Sequence, residues 1–198
     1  MEYGKVMDKI LYLGPHSQLV DFLEKEYEVV RKEEKITKED VNEIKPKYVI
    51  SYGYRHIIKQ EVLDTCEIIN LHISYLPWNR GADPNFWSFY DETPKGVTIH
   101  FIDKGIDTGD IVFQKEVDFE EQHNTLGATY EKLKQEIENL FMEKWEDFTN
   151  QRFDRIPQNL EEGSLNYKKK LQKIWHHFPN QWQTTLGEIK CVKEQILK

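Results

Sequence analysis

The stretch NLHISYLPWNRGADPNFW, residues 70–87, gathers side chains able to do chemistry. It opens with Asn70 and His72 at the end of an apolar run. If that run is a strand, residues two apart share one face, so an amide and an imidazole project together. A second stretch, VTIHFID followed by KGIDTGD, sets Asp107 between Gly105 and Gly109, 37 residues after Asn70. An amide donor, an imidazole that can hold a proton and a carboxylate that can orient it suit acyl-type transfer to an amine without a covalent intermediate. No GxSxG nucleophile is present, and neither cysteine sits in a recognisable catalytic site.

Plainer readings stand beside this one. An Asn and a His at a strand end also suit capping of a loop through backbone hydrogen bonds. An Asp beside a Gly is a common turn former. A calcium loop needs acidic groups at alternate positions and a terminal Glu; Asp103, Asp107 and Asp110 are spaced four and three apart and do not fit. His72, His100 and Asp107 have the chemistry of metal ligands but no recognised metal spacing.

The elements that must carry these groups follow from periodicity. KILYLG (residues 9–14) reads as a buried strand closed by Gly-Pro, and residues 17–25 carry a helical apolar stripe. Residues 27–30 read as a strand. Thr37 with Asp40 marks a helix start. YVISY (48–52), EIINL (67–71), VTIHFID (97–103) and residues 111–117 read as further strands, with an irregular loop from Pro77 through Pro84. FWSF reads as one turn of a buried helix. From Thr125 to Phe148 apolar residues recur every three, four or seven positions, the longest helical pattern; its stripe is wide enough to serve also as a homodimer face. This order predicts an α/β fold with a mostly parallel sheet flanked by helices. Ligands in such sheets bind beyond the carboxyl ends of the strands, which is where Asn70 and His72 fall. After residue 150 the chain turns polar and loop-like, yet Trp175, Phe178 and Trp182 imply that the tail packs on something.

Composition narrows the field. The chain has 198 residues, 27 basic and 35 acidic side chains and a net charge of −8, which disfavours a nucleic-acid partner. Cys66 and Cys191 are too few and too far apart for a disulfide scaffold or a zinc site, and suit a reducing cytoplasmic setting. The start, MEYGKVMDKI, has no long apolar run, so a signal peptide is not expected, and no run reaches the length a membrane span needs. The first turn, Gly14-Pro15-His16-Ser17, lacks the closely spaced glycines of a dinucleotide or phosphate loop.

The runs INLHISYLPWNRGADP and KGVTIHFIDKGIDTGDIV, in that order, resemble the formyltransferases that use 10-formyltetrahydrofolate. The likeness covers residues 9–117. It implies a Rossmann-like formyltransferase fold over residues 1–150 with a short C-terminal extension, residues 151–198, packed on it. It implies Asn70, His72 and Asp107 as the catalytic trio, 10-formyltetrahydrofolate as co-substrate and no metal. It also implies that Tyr54, Arg55, His56, Ile57 and Ile58, with the turn before Asp107 that includes Asp103, line the pterin pocket. The Arg80-Gly81 pair, beside Trp78, is similar to the methionyl-tRNA and sugar-nucleotide members and is read as substrate-binding. The glycine-rich phosphate loop of the glycinamide ribonucleotide enzymes is replaced here by GPHSQ. About 48 residues after position 150 and a charge of −8 disfavour tRNA. The expected acceptor is therefore a small-molecule amine, a nucleotide-linked amino sugar, with Arg55, Arg80 and the Lys168–Lys170 run as candidate cations for its diphosphate. Hydrolysis of 10-formyltetrahydrofolate and a non-catalytic folate-binding relic are the competing readings.

Overall fold

A computed structural model describes residues 7–120 and 122–196. The first six residues, part of the stretch read for a leader, lie outside the described residues. Among the described residues no helix is long and apolar enough to cross a membrane.

Six strands form the central sheet: β1 (Lys9–Leu13), β2 (Glu28–Lys32), β3 (Tyr48–Tyr52), β4 (Ile68–His72), β6 (Gly96–Phe101) and β7 (Ile111–Glu116). Their spatial order is β2-β1-β3-β4-β6-β7. The first four are parallel; β6 runs antiparallel to β4, and β7 antiparallel to β6. Ile10, Leu11, Tyr12 and Leu13 of β1 are all fully buried, as expected where helices cover both faces of a parallel sheet. The helices are α1 (Val20–Leu23), α2 (Lys38–Ile44), α3 (Gln60–Leu63), α4 (Pro84–Tyr90), α5 (Leu126–Thr149), α6 (Lys168–Ile174) and α7 (Leu186–Ile196). A capping box between Thr37 and Asp40 starts α2. The Thr125 side chain accepts from the Ala128 N–H to start α5.

One core lies between the sheet and α5, where Tyr12, Ile50 and Ile69 meet Leu133, Ile137 and Phe141. A smaller one on the opposite face joins Leu13, Val49 and Ile68 to Val41 of α2 and Val62 of α3. The third lies away from the sheet, where Phe86 and Trp87 of α4 pack with Leu126, Phe178 and Ile189. The tail therefore does pack, and Phe178 is its anchor, only 1% exposed.

Local reading differs from the structure in three places. Residues 17–25 form only the short α1, because the chain around Ser17 and Glu24 turns without continuing the ladder. The loop after Pro77 contains a short strand, β5 (Arg80–Gly81), paired in parallel with β8 (Leu165–Asn166). Two-residue strands carry no period, so neither was visible. The polar stretch after residue 150 holds β8 and leads into α6 at the lysine run, whose stripe is too short to stand out.

Candidate active site

Asn70 and His72 leave the same face of β4, two residues apart at its carboxyl end. In the antiparallel pairing, Asn70 lies directly opposite His100 of β6, and His72 opposite Thr98. Asp107 reaches them from the turn between β6 and β7. Its backbone is left-handed (φ 50°), a conformation Asp tolerates better than most side chains. Gly109 lets this turn close: a Cβ there would lie 2.0 Å from the Phe101 carbonyl oxygen. The Gln158 side-chain amide then donates to the carbonyls of Asp107 (3.0 Å) and Gly109 (2.7 Å).

The carboxylate of Asp107 is the hub. Its Oδ2 accepts from the Gly81 N–H at 2.8 Å and lies 3.8 Å from His72 Nδ1. Its Oδ1 is 3.4 Å from Asn70 Nδ2 and 3.6 Å from His100 Nε2. Gly81 (φ 87°) can place its amide there only as glycine, because a Cβ would meet the Asn166 carbonyl oxygen at 2.3 Å. Burial opposes ionisation of Asp107, but the flanking His72 and His100 imidazoles and the Gly81 amide outweigh it. Its pKa is held well below the ordinary carboxylate value.

Two further groups fix the ring and the amide. Asn79 is fully buried and its carbonyl oxygen accepts from His72 Nε2 at 3.4 Å. Asn79 is itself held by Thr93 and Ser164. His100 donates from Nδ1 to the Phe101 carbonyl (2.8 Å), which leaves Nε2 to accept from Asn70 Nδ2 at 3.2 Å. Burial pushes the pKa of His72 down, and the nearby Asp107 charge only partly opposes this, so the resting imidazole is neutral.

A cleft of about 210 Å³ opens over the trio. Tyr54, Asn70, His72 and Asp107 line it, together with His16, Tyr130 and Lys134. The other residues singled out in the sequence lie elsewhere. Arg55, His56 and Ile57 are exposed beyond Tyr54, and Ile58 joins the smaller core. Asp103 accepts from Gly105 N–H and Thr108 Oγ1 and so shapes the turn. Trp78 and Arg80 are half-buried outside the cleft lining, and Gly81 acts on Asp107. His72, His100 and Asp107 do meet, but among the described residues no cluster of three or more His, Cys, Asp or Glu is arranged to hold a metal ion.

His16, Tyr130, Lys134, Asn79 and Gln158 escaped the sequence reading, and His100 entered it only as a group with metal-ligand chemistry. Tyr130 was hidden in the apolar stripe of α5. His16 sits in the first turn after β1, whose glycine content is its one sequence signal; its ring lies 4.5 Å from that of Tyr52, and burial lowers its pKa. His100 was the one most open to detection, because strand alternation places it on a face with Thr98.

A family model described as Formyl transferase matches residues 12–144. Among solved structures, the formyltransferase PseJ from Anoxybacillus kamchatkensis, in complex with UDP-4,6-dideoxy-4-formamido-L-AltNAc and tetrahydrofolate, is 45% identical. It superposes with a TM-score of 0.85, over 91% of this chain and 97% of that one. Two curated methionyl-tRNA formyltransferases are also similar. The one from Desulforamulus reducens is 34% identical over 60% of this chain and 38% of its own length. The one from Acetivibrio thermocellus is 32% identical over 79% and 55%. The matches thus span about 38% to 55% of these curated relatives.

Proposed function

The chain belongs to the formyl transferase family, and on that premise we propose that it moves a formyl group from 10-formyltetrahydrofolate to the primary amine of a nucleotide-linked amino sugar. The observation that carries this reading is the Asp107 hub, which draws Asn70 and His72 into one cleft. The choice of acceptor is supported by the likeness to PseJ, which extends over nearly all of both chains. Residues 1–150 carry the reacting groups, and residues 151–198 complete the walls on the acceptor side.

The chemistry runs as follows. Donor and acceptor held side by side avoid much of the entropic cost of their meeting. The amine nitrogen attacks the formyl carbon, and negative charge grows on the formyl oxygen. Asn70 answers it with the amide hydrogen now on the longer, 3.4 Å contact to Asp107, while His100 keeps the other hydrogen engaged. The neutral imidazole of His72 takes the proton from the attacking nitrogen. The imidazolium so formed faces the Asp107 carboxylate, which stabilises it. As the tetrahedral adduct collapses, the carbon–nitrogen bond to the folate breaks and the proton passes to the departing folate nitrogen. Formamide and tetrahydrofolate are the products, and the enzyme is returned unchanged. This resting state differs from one with His72 charged throughout: burial keeps the ring neutral until the proton arrives.

The test is incubation with 10-formyltetrahydrofolate and a panel of acceptors: UDP-linked 4-amino sugars, glycinamide ribonucleotide and methionyl-tRNA. The expected result is release of tetrahydrofolate with one formyl group added to an amino-sugar nucleotide. Formylation of methionyl-tRNA alone, or formate release with every acceptor unmodified, would overturn the proposal.

A further inference from the structure

The loop from Pro77 to Gly81 gives the site two backbone groups. The Asn79 carbonyl faces His72 Nε2, and the Gly81 N–H binds Asp107. The groups that hold this loop come from outside it. Ser164 of the C-terminal extension donates its N–H to the Pro77 carbonyl (3.2 Å) and accepts at its own carbonyl from the Arg80 N–H (2.9 Å). Its hydroxyl accepts from the Asn79 N–H at 2.8 Å and donates to Asn79 Oδ1 at 3.3 Å. From the other side, Thr93 Oγ1, just after α4, accepts from Asn79 Nδ2 at 2.7 Å. Asn79 is thus tied by its side chain to two separate segments, and its left-handed backbone (φ 56°) is one that Asn tolerates.

A neutral imidazole carries hydrogen on only one of its two nitrogens, and the partner of each nitrogen decides which. A carbonyl can only accept, so the 3.4 Å contact to Asn79 is made only with the hydrogen on Nε2. The other tautomer gives up this bond without making a new one. Its Nδ1–H would lie 3.8 Å from Asp107 Oδ2, beyond hydrogen-bond reach, and that oxygen already accepts from Gly81 at 2.8 Å. Its bare Nε2 would be set against the Asn79 carbonyl oxygen. We propose that Ser164 and Thr93 are positioning residues: through the Asn79 carbonyl they hold neutral His72 with its hydrogen on Nε2, so that Nδ1 is the nitrogen that takes the amine proton. The inference rests on His72 being the base of the formyl transfer. In turnover the proton arrives at Nδ1, beside Asp107, and leaves from Nδ1 to the departing folate nitrogen. The Nε2 hydrogen stays in its bond to Asn79 throughout. The C-terminal extension thereby acts on the chemistry through a loop it does not belong to.

15N spectra of the full chain labelled at histidine, with His72 assigned by the signals lost in His72→Gln, read the tautomer with no substrate present. In its neutral form, native His72 should show a protonated Nε2 and a bare Nδ1. In Ser164→Ala, and in Thr93→Val, which keeps the shape and drops the hydroxyl, the Nδ1–H form should become populated. Both variants should lose up to about 10²-fold in kcat with KM for donor and acceptor unchanged, the pattern of a misplaced reacting group. Thr93→Ser, which keeps the hydroxyl, should retain both the native tautomer and the rate. Thr93 is half-buried, so Thr93→Val gives the answer if Ser164→Ala does not fold. A bare Nε2 in the native protein, an unchanged tautomer in the hydroxyl-free variants, or a full rate in a variant whose tautomer has shifted would overturn the proposal. Because the spectra need no turnover, a native Nε2–H that is lost in these variants, with no acceptor formylated, would leave the clamp standing and defeat the transfer reading instead.

Discussion

At the scale of single residues, His72 and Asp107 rest in opposite states, a neutral ring 3.8 Å from an ionised carboxylate. Asp107 keeps the lowered pKa because a proton entering the site goes first to the neighbouring His72, and the Gly81 amide favours the carboxylate; burial keeps His72 itself neutral. In 15N-histidine NMR, His72 should therefore titrate below the ordinary imidazole value. Asp107→Asn removes the one charge that raises this pKa, so the titration should move lower still. The same variant should lose about 10²–10⁴-fold in kcat, the usual contribution of a positioned proton-transfer partner. Activity of the native chain should fall as pH drops through the His72 pKa, because a charged ring cannot accept the amine proton. A His72 titration at or above the ordinary value, or full activity in Asp107→Asn, would refute this account. The trio was legible because alternation along a strand and a glycine-flanked turn are local signals. Asn79, and the pairing of His100 with Asn70, were not: each depends on a contact set by a buried loop far away in sequence or by β-register.

At the scale of elements, the turn bearing Asp107 depends on a residue some fifty positions downstream. The Gln158 amide bridges two carbonyls of that turn from an otherwise polar stretch. Gln158→Ala should lower kcat by up to ~10²-fold through misplacement of the carboxylate, with little change in melting temperature. Gln158→Glu should do no better, since a carboxylate would set its oxygens against both carbonyls. Unchanged kcat in either variant would mean that the turn holds itself. The strands that frame the turn were foreseen, but their direction was not. Nine residues between β6 and β7 are too few for the crossover that a parallel pair requires, so this pair must reverse, and spacing alone carried that information.

At the scale of the whole molecule, the chain has three cores, and only two of them touch the sheet. The third ties α4 to the C-terminal helices through Phe178, whose ring lies 5.2 Å from that of Phe86. Phe178→Ala should cost about 3–5 kcal/mol in urea unfolding, the range for an emptied aromatic site in a core. A loss under 1 kcal/mol would show that the tail is loosely held. Sequence signalled that its aromatics must pack, because exposing several large rings is unfavourable. It could not show against what, since the partner face on α4 had read as a single turn.

The pairing of Arg80–Gly81 with Leu165–Asn166 also imposes an order in time. Where Gly81 grips Asp107, its short strand is paired with one that is synthesised 85 residues later. On the ribosome, β1 to β7 can emerge and begin to assemble while that loop is still unclamped. Catalytic competence then arrives as a late event of translation, and a chain interrupted before Asn166 would carry every member of the trio without the backbone that aligns them.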